Sequence, residues 1–288
     1  MCVRFDAVLG VRRCMVLRMQ SLISSLRNHV LRHAARILVK SGTFRRHLGA
    51  LDPNLDPDFL RAVVLIRNAT DEEALFVRDL VNVTNSYAQL RQDLWVLHET
   101  RRKRGGYFVE FGATDGISLS NTYLLERDFN WRGILAEPNP VWHAALKHNR
   151  AASIDLRCVF RTTGERLKFL ATKYPELGTV QGFESGDGHA RARSEHNLIE
   201  VETISLNDLL EQHNAPRDID YISVDTEGSE LGILERFDFS RWNVMLWSVE
   251  HNMTKQEQGV DRLMREHGYE RRYPSYSSFD AWYRRKTA

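Results

Sequence analysis

The stretch Tyr107-Phe-Val-Glu-Phe-Gly-Ala-Thr-Asp-Gly116 decides the fold of this chain. Its apolar first half has the composition of a buried β-strand, and it ends in a glycine-bearing loop with two carboxylates. A second strand-like run, Gly133-Ile-Leu-Ala-Glu137-Pro138, follows and also ends in an acid. A strand, a glycine loop, a helix and a strand with a terminal carboxylate predict a nucleotide-binding βαβ unit.

The loop after the first strand carries acids where a diphosphate site would carry glycines. Gly112 lets the backbone turn tightly, and Gly116 lets a ligand approach closely. The pattern Gly-x-Gly-x-x-Gly is absent, so no glycine-lined helix start is predicted to hold a diphosphate. Glu110 and Asp115 would repel a diphosphate but suit the ammonium and sulfonium groups of S-adenosylmethionine (SAM). A tight βα turn without a ligand is the alternative at this point.

An acid also closes the second predicted strand, since Glu137 lies 27 residues after Glu110. A carboxylate at this place accepts hydrogen bonds from both ribose hydroxyls of an adenosine cofactor, in enzymes that use either NAD or SAM. Pro138 follows and ends the strand. A solvated acid at a strand end is the alternative.

Strands and helices alternate from Gly106 onward. Apolar runs predict strands at 107–111, 133–137, 154–159, 219–224 and 244–250, and helical patterns separate or follow them at 119–128, 140–149, 205–213, 229–236 and 256–267. Two further strands around a loop close the chain. We therefore predict an α/β fold: a doubly wound, mostly parallel seven-stranded sheet with an antiparallel C-terminal hairpin, preceded by N-terminal helices. Residues 178–195 are polar and predict a long loop or lid over the acceptor.

Charge divides the chain unevenly. Residues 1–50 hold ten Lys or Arg and one acid, whereas the remaining residues hold 30 basic and 37 acidic side chains. We predict a basic amphipathic arm at 1–50, a helical lead-in at 51–104 with a helix over 86–104, and the main domain at 105–288. The arm's helical spacing fits adsorption to an anionic membrane surface. A helix packed on the main domain, or an extension without fixed structure, fits better, because the apolar stripe holds no Trp or Phe.

Composition narrows the class of protein. The apolar fraction of 42% is adequate for a packed core, and no run approaches the roughly 18 apolar residues of a membrane span. The N-terminus lacks the apolar stretch of a secretory signal, and three cysteines without metal-like spacing fit a reduced compartment. Because the basic charge belongs to the arm, nucleic acid is not expected as a partner. We predict a cytoplasmic protein, with the arm as the candidate for peripheral contact on the inner face of the membrane.

The ligand of a doubly wound sheet lies beyond the carboxyl ends of its strands. Asp225 ends the fourth predicted strand, and Glu250 ends the fifth and is followed by His251 and Asn252. His251 has an unperturbed pKa that suits a general base near neutrality, and a structural histidine is the alternative. Asp225, Glu227 and Glu250 offer oxygen ligands for Mg²⁺, but their spacing is not that of a sharp metal motif.

Five blocks of the sequence carry a family resemblance: Tyr107–Thr122, Gly133–Pro140, Ile204–Leu210, Ile219–Glu230 and Val249–Asn252. Their order and spacing, over roughly residues 86–285, resemble the FkbM family of SAM-dependent methyltransferases. The resemblance implies a class I (Rossmann-like) methyltransferase fold for 105–288 and methyl transfer, typically to an oxygen. It also implies a SAM site formed by Glu110, Gly112, Ala113, Asp115, Gly116, Glu137, Pro138 and Asn139.

The predicted function is therefore O-methylation of a small-molecule or glycan acceptor. Family members often occur with genes for glycans or natural products, so a sugar hydroxyl is the favoured acceptor. Catalysis is assigned to His251, Asp225 and Glu250. His251 or Asp225 would remove the hydroxyl proton, and bound Mg²⁺ would instead lower the pKa of that hydroxyl. Two other classes stay open. A nicotinamide-dependent oxidoreductase would need the glycine fingerprint that is missing, and a non-catalytic SAM-fold binding module would not need four acidic strand ends.

Overall fold

The computed structural model describes Phe76 and residues 85–183, 188–274 and 276–286. The chain divides into two compact units, residues 1–84 and 85–288, and the second unit contains nearly all of the described residues. The basic arm at 1–50 and the helical patterns at 58–66 and 71–81, apart from Phe76, lie outside the described residues. Among the helices that the structure describes, none combines the length and the apolar character that crossing a bilayer requires.

The second unit alternates strands and helices, which confirms the predicted α/β class. The α-helices are α1 (Gln92–Glu99), α2 (Tyr123–Phe129), α3 (Pro140–Asn149), α4 (Leu206–Gln212), α5 (Glu230–Leu234) and α6 (Gln256–Glu266). The strands are β1 (Tyr107–Phe111), β2 (Arg132–Ala136), β3 (Ser153–Asp155), β4 (Cys158–Phe160), β5 (Arg166–Thr172), β6 (Thr179–Val180), β7 (His196–Ser205), β8 (Asp218–Val224), β9 (Asn243–Glu250), β10 (Tyr269–Arg272) and β11 (Asp280–Arg285).

Seven of these strands form the main sheet, in the order β10-β11-β9-β8-β1-β2-β3. The pairs from β9 to β3 are parallel, and β11 is antiparallel to both of its neighbours. The chain first moves outward from β1 to β3 and then returns to β8 on the other side of β1. The strand order therefore reverses between β1 and β8, which is where an open α/β sheet has its ligand crevice.

The antiparallel strand β11 brings its own first residue to this crevice. Asp280, at the start of β11, lies opposite Glu250, at the end of β9. Because β11 runs against its neighbours, its amino end shares the edge where β1, β2, β8 and β9 have their carboxyl ends. A rule that considers only the carboxyl ends of strands does not find Asp280.

Alternate residues of each central strand face opposite layers of the fold. On one face, Val109, Ile222 and Trp247 belong to the main apolar core, which includes buried side chains of α4, α5 and α6. On the other face, Trp282 of β11 stacks on Trp95 of α1 with ring centroids 4.9 Å apart. Both faces of the sheet are thus covered, and the site lies at the edge formed by the carboxyl ends of the parallel strands.

The part of the chain between β3 and α4 forms a second, four-stranded sheet, in the order β4-β7-β5-β6. The single strand predicted at 154–159 is in fact two, because β3 ends at Asp155 in the main sheet and Cys158 begins β4 in the second one. The prediction of a long loop at 178–195 is also incomplete. Thr179 and Val180 form β6, and a short 3₁₀ helix covers Ala192–Ser194.

The helix predicted over 86–104 is shorter, since α1 spans only Gln92–Glu99. Arg91 precedes it with φ 63°, in the left-handed region, so a continuous helix is interrupted there. The carboxylate of Asp93 accepts hydrogen bonds from Ser86 Oγ at 2.6 Å and from Tyr87 N at 3.2 Å. These bonds hold residues 86–91 as a turn against the helix start.

Candidate active site

A cavity of about 560 Å³ opens at the carboxyl edge of the main sheet. Predicted site residues that line it are Glu110, Gly112, Glu137, Pro138, Asp225 and Glu250. Predicted site residues that do not line it are Ala113, Asp115, Gly116, Asn139 and His251. The cavity therefore brings together the acids that end β2, β8 and β9, together with the loop that leaves β1.

Glu110 is buried, and both of its carboxylate oxygens accept hydrogen bonds from the loop that follows β1. Oε1 accepts from Asn121 N at 2.7 Å, and Oε2 accepts from Ser120 Oγ at 2.9 Å and from Thr122 Oγ1. The buried guanidinium of Arg150 lies 3.8 Å from the same oxygen. Glu110 thus holds the loop in place by accepting these hydrogen bonds.

Two glycines shape this loop for different physical reasons. Gly112 has φ +80°, and a Cβ there would lie 2.3 Å from the carbonyl oxygen of Asp225, so the loops after β1 and β8 meet at this point. Gly116 has φ +82°, but a Cβ there would meet Arg150 Cγ at 2.6 Å and Leu146 Cδ1 at 2.8 Å. The room predicted for a ligand at Gly116 is therefore taken by side chains of α3 and the residue that follows it.

Asp115 is bonded within its own loop. Oδ1 accepts from the amides of Ile117 at 2.8 Å and Ser118 at 2.7 Å, and Oδ2 accepts from Ser118 Oγ at 2.8 Å. Ala113 donates its amide to Ala136 O at 3.3 Å, which ties the loop to the end of β2. Neither residue lines the cavity, and both stabilise the loop at its edge.

Glu137 is buried and stands at the cavity where β2 ends. Thr114 N donates to Oε2 at 2.9 Å, and Asn139 N donates to Oε1 at 2.7 Å. Burial raises the pKa of this carboxyl group to about 7, despite both amide donors. Each oxygen has made one hydrogen bond and retains a lone pair for a ligand. Asn139 itself caps α3, because its Oδ1 accepts from Val141 N at 3.3 Å.

The acids that end β8 and β9 form a cluster of three, which we call the acid cluster: Asp225, Glu227 and Glu250. One carboxylate oxygen of each lies within 4.8 Å of the others. Burial, and then repulsion between these acids, raises the pKa of Asp225 and of Glu250 well above the ordinary range. Glu250 Oε2 is buried and has no hydrogen-bond partner among the described residues. The cluster therefore requires a proton or a cation to balance its charge.

A buried arginine from the second sheet's connection reaches this cluster. Arg193 Nη2 lies 2.6 Å from Glu227 Oε2, and Asn252 Nδ2 donates to the same oxygen at 3.3 Å. Arg193 Nε also donates to Leu177 O at 2.9 Å. The sequence showed Arg193 only as one charge in a polar stretch, which is why its pairing with Glu227 was not predicted.

His251 is buried on the side away from the cavity. Its Nδ1 accepts from Met253 N at 3.0 Å, and Nε2 lies 3.7 Å from Glu257 Oε1 and 3.4 Å from Arg271 Nη2. Burial lowers its pKa. Successive residues of an extended chain point to opposite sides, so Glu250 faces the cavity and its neighbour does not.

Polar residues that the sequence did not single out form a further wall of the cavity. Asn121 Nδ2 donates to Ser223 Oγ at 2.8 Å, while Asn121 Oδ1 is buried without a partner among the described residues. Gln92 Nε2 donates to Asp280 Oδ2 at 2.7 Å, and burial raises the pKa of Asp280 to about 6. Asn121 lies within a block that resembles the family, and Gln92 lies in the segment 86–93, which resembles the stretch before the first motif in some members, whereas Asp280 had no signal beyond its polarity.

The chain belongs to the FkbM methyltransferase family, whose domain, described as "Methyltransferase FkbM domain", matches residues 110–271. This match confirms the family resemblance, and membership implies SAM as the methyl donor. No curated protein matches the sequence.

Among solved structures, the CurJ carbon methyltransferase is similar with 10% identity and a TM-score of 0.34, covering 94% of this chain and 70% of that one. A putative sarcosine dimethylglycine methyltransferase from Galdieria sulphuraria is similar with 11% identity and a TM-score of 0.28. That likeness covers 68% of this chain and 65% of the other. With TM-scores this low, neither likeness supports a conclusion about this chain.

Proposed function

We propose that the chain transfers the methyl group of SAM to a hydroxyl oxygen of a glycan or a related hydroxylated metabolite, on the class I methyltransferase fold. The acid cluster, in the same cavity as Glu137, carries this proposal. Glu137 is the acid suited to ribose hydroxyls, and the cluster supplies groups that accept a proton from an acceptor. A binding module without catalysis would need the first but not the second.

Sheet geometry supports one elongated site for cofactor and acceptor. Neighbouring strands lie about 4.8 Å apart, so the ends of β2 and β8, separated by β1, are about 10 Å apart. A cofactor whose ribose binds Glu137 can thus extend past Gly112 toward Asp225. The acceptor then meets the reacting carbon beside the acid cluster.

SAM, when bound, supplies a methyl group on a positively charged sulfur. The chain must hold the acceptor oxygen in line with that carbon, and such positioning supplies much of the rate of a displacement. As the oxygen–carbon bond forms and the carbon–sulfur bond breaks, the hydroxyl proton passes to a carboxylate oxygen. We assign this role to Asp225 or Glu250, because both line the cavity and their raised pKa values make them stronger bases. His251 does not reach the cavity, so we do not retain it as the base.

We also propose a divalent cation, Mg²⁺, as a partner of the acid cluster. Three carboxylates with oxygens within 4.8 Å offer the hard ligands this ion prefers, and the unpartnered Glu250 Oε2 fits a ligand position. Such an ion would lower the pKa of a hydroxyl bound beside it. Labelled transfer measured with Mg²⁺ and with a chelator tests this part, and equal rates in both conditions contradict it.

Methyl transfer from labelled SAM into a cell-envelope glycan extract tests the function. We expect label in the glycan fraction, little or none with Asp225→Asn, and substantial transfer with His251→Ala, because the histidine faces α6. Calorimetry on each preparation establishes that SAM is bound. Tight binding of NAD without binding of SAM would contradict the proposal and favour an oxidoreductase. Binding of SAM with no transfer to any acceptor would favour a binding module.

A further inference from the structure

Carboxyl groups dominate the ionisable side chains in the described lining of the cavity, in which His189 is the one basic side chain. Among the described residues that line it, seven carry carboxyl groups and none is a lysine or an arginine. Those seven are Glu110, Glu137, Glu176, Asp225, Glu227, Glu250 and Asp280. A site that holds a phosphate or a carboxylate presents guanidinium or ammonium groups to it, and this lining presents none.

The arginines near the cavity are already committed to two of the seven acids. Arg150 lies beside Glu110, and Arg193 pairs with Glu227. The other five acids have no guanidinium or ammonium partner among the described residues. Burial raises the pKa of four of these five acids, those at the ends of β2, β8 and β9 and at the start of β11. These four therefore hold protons or need a cation, and SAM supplies a single net positive charge toward that balance.

The unpartnered polar atoms of the lining have one hydrogen-bonding role. Asn121 Oδ1 and Glu250 Oε2 are buried and have no partner among the described residues, and both are acceptors when the carboxyl group is ionised. A buried acceptor without a partner costs about 1–3 kcal/mol. A ligand that brings hydroxyl or ammonium donors removes this cost, whereas a phosphate or carboxylate brings more acceptors.

We propose that the acceptor is a neutral or amine-bearing hydroxylated molecule, such as a neutral sugar or an amino sugar, and that phosphorylated and carboxylated acceptors are rejected. The inference rests on the proposed function and specifies its substrate class. Without a bound cation, a dianionic phosphate meets a like charge wherever one of these acids is ionised, whereas a protonated amine stabilises the ionised acids. Nucleotide-linked sugars are excluded on the same ground.

Charge separation of the labelled products tests the substrate class even while the acceptor itself is unidentified. The full chain is incubated with labelled SAM and a polar extract that contains neutral, amino and phosphorylated sugars, with and without Mg²⁺. The labelled products are separated from unreacted SAM by chromatography and are then passed over anion- and cation-exchange resins. We expect label in the unbound and cation-exchange fractions. Label mainly in the anion-exchange fraction, in either condition, would overturn the inference and leave the methyltransferase proposal standing.

A charge-reversal variant sharpens the test. Glu176 is exposed at the cavity and takes no part in the proposed chemistry, so we expect Glu176→Lys to move label toward the anion-exchange fraction by about threefold or more. Glu200→Lys, on an exposed acid outside the cavity lining, is the matched control and should change nothing. An identical distribution for both variants contradicts the electrostatic argument. Absence of label from every fraction, in a preparation that binds SAM, would remove the proposed function and this inference with it.

Discussion

At the scale of single residues, Glu137 allows the proposed cofactor site to be tested by measuring the affinity for SAM. Its carboxyl group is buried with a pKa of about 7, and both of its oxygens face amide donors while the group lines the cavity. Ribose hydroxyls donate more strongly to the ionised form than to the neutral acid. Ligand binding therefore favours loss of the proton, so SAM affinity must rise as the pH passes upward through about 7.

We predict that SAM binds Glu137→Gln about tenfold to a hundredfold more weakly than the unchanged chain at about pH 8, since hydrogen bonds to a charged group contribute about 1.5–3 kcal/mol. The difference should shrink toward about pH 6, where the native carboxyl group is protonated. Calorimetry at both pH values measures this, with Glu200→Gln as the control on an exposed acid. A variant with unchanged affinity at both pH values would place the ribose elsewhere.

Prediction from the sequence gave the position of a residue, though not its role, where a strand end alone determines that position. Glu137, Asp225 and Glu250 close three parallel strands, so they share one edge, and the structure gathers them around one cavity. It could not work where a neighbour decides which way a side chain points. Asp115 folds back onto Ser118, and His251 turns toward Arg271, because of bonds that no spacing in the sequence reveals.

At the scale of elements, the connection between β6 and β7 contacts the turn after β8 through a buried ion pair. Arg193 and Glu227 are both buried, and Thr179 Oγ1 donates to Glu227 O at 2.9 Å. Glu227 has φ 58°, a left-handed backbone that a non-glycine residue adopts only when its surroundings hold it. The second sheet therefore helps to fix one member of the acid cluster.

We predict that Arg193→Ala lowers the free energy of unfolding by about 3–5 kcal/mol, because it leaves the Glu227 charge buried without its partner. The double variant Arg193→Ala with Glu227→Ala should lose less than the sum of the two single losses. Denaturant unfolding measures these values. Arg166→Ala, which removes an exposed ion pair on the same sheet, serves as the control and should change stability little. Additive losses would show that the two side chains are not coupled.

The elements of the main sheet could be predicted because their strands are buried on both faces and form continuous apolar runs. The strands of the second sheet could not be predicted in this way. Its strand β7 is exposed over His196–Glu200 apart from the half-buried Ile199, and its buried core, among the described residues, consists of Cys158, Phe169, Val180 and Val201. So little apolar surface gives a weak pattern, and the partners in the pairing of β5 with β7 lie 24 to 36 positions apart, which leaves no local signal.

At the scale of the whole molecule, the N-terminal arm and the remainder of the chain carry net charges of opposite sign. Ten basic residues and one acid lie in residues 1–50, against 30 basic and 37 acidic residues in the remainder. An anionic membrane surface attracts the arm with about 1 kcal/mol for each basic residue close to it, and it repels an acidic body. Contact with a membrane through the arm therefore stays a prediction, and we expect it to be weak and sensitive to salt.

The membrane hypothesis for the arm predicts that the full chain floats with vesicles containing phosphatidylglycerol at low salt, and that neither neutral vesicles nor high salt sustain this. The triple change Arg27→Gln, Arg32→Gln and Arg36→Gln should weaken binding about a hundredfold, because it removes about 3 kcal/mol of attraction. The matched control changes three exposed cations of the main domain, Arg166, Lys173 and Arg241, to glutamine. If both triple variants float equally, the attraction does not reside in the arm. If the unchanged chain does not float with anionic vesicles, the membrane hypothesis for the arm fails, and its basic residues must serve contacts within the protein.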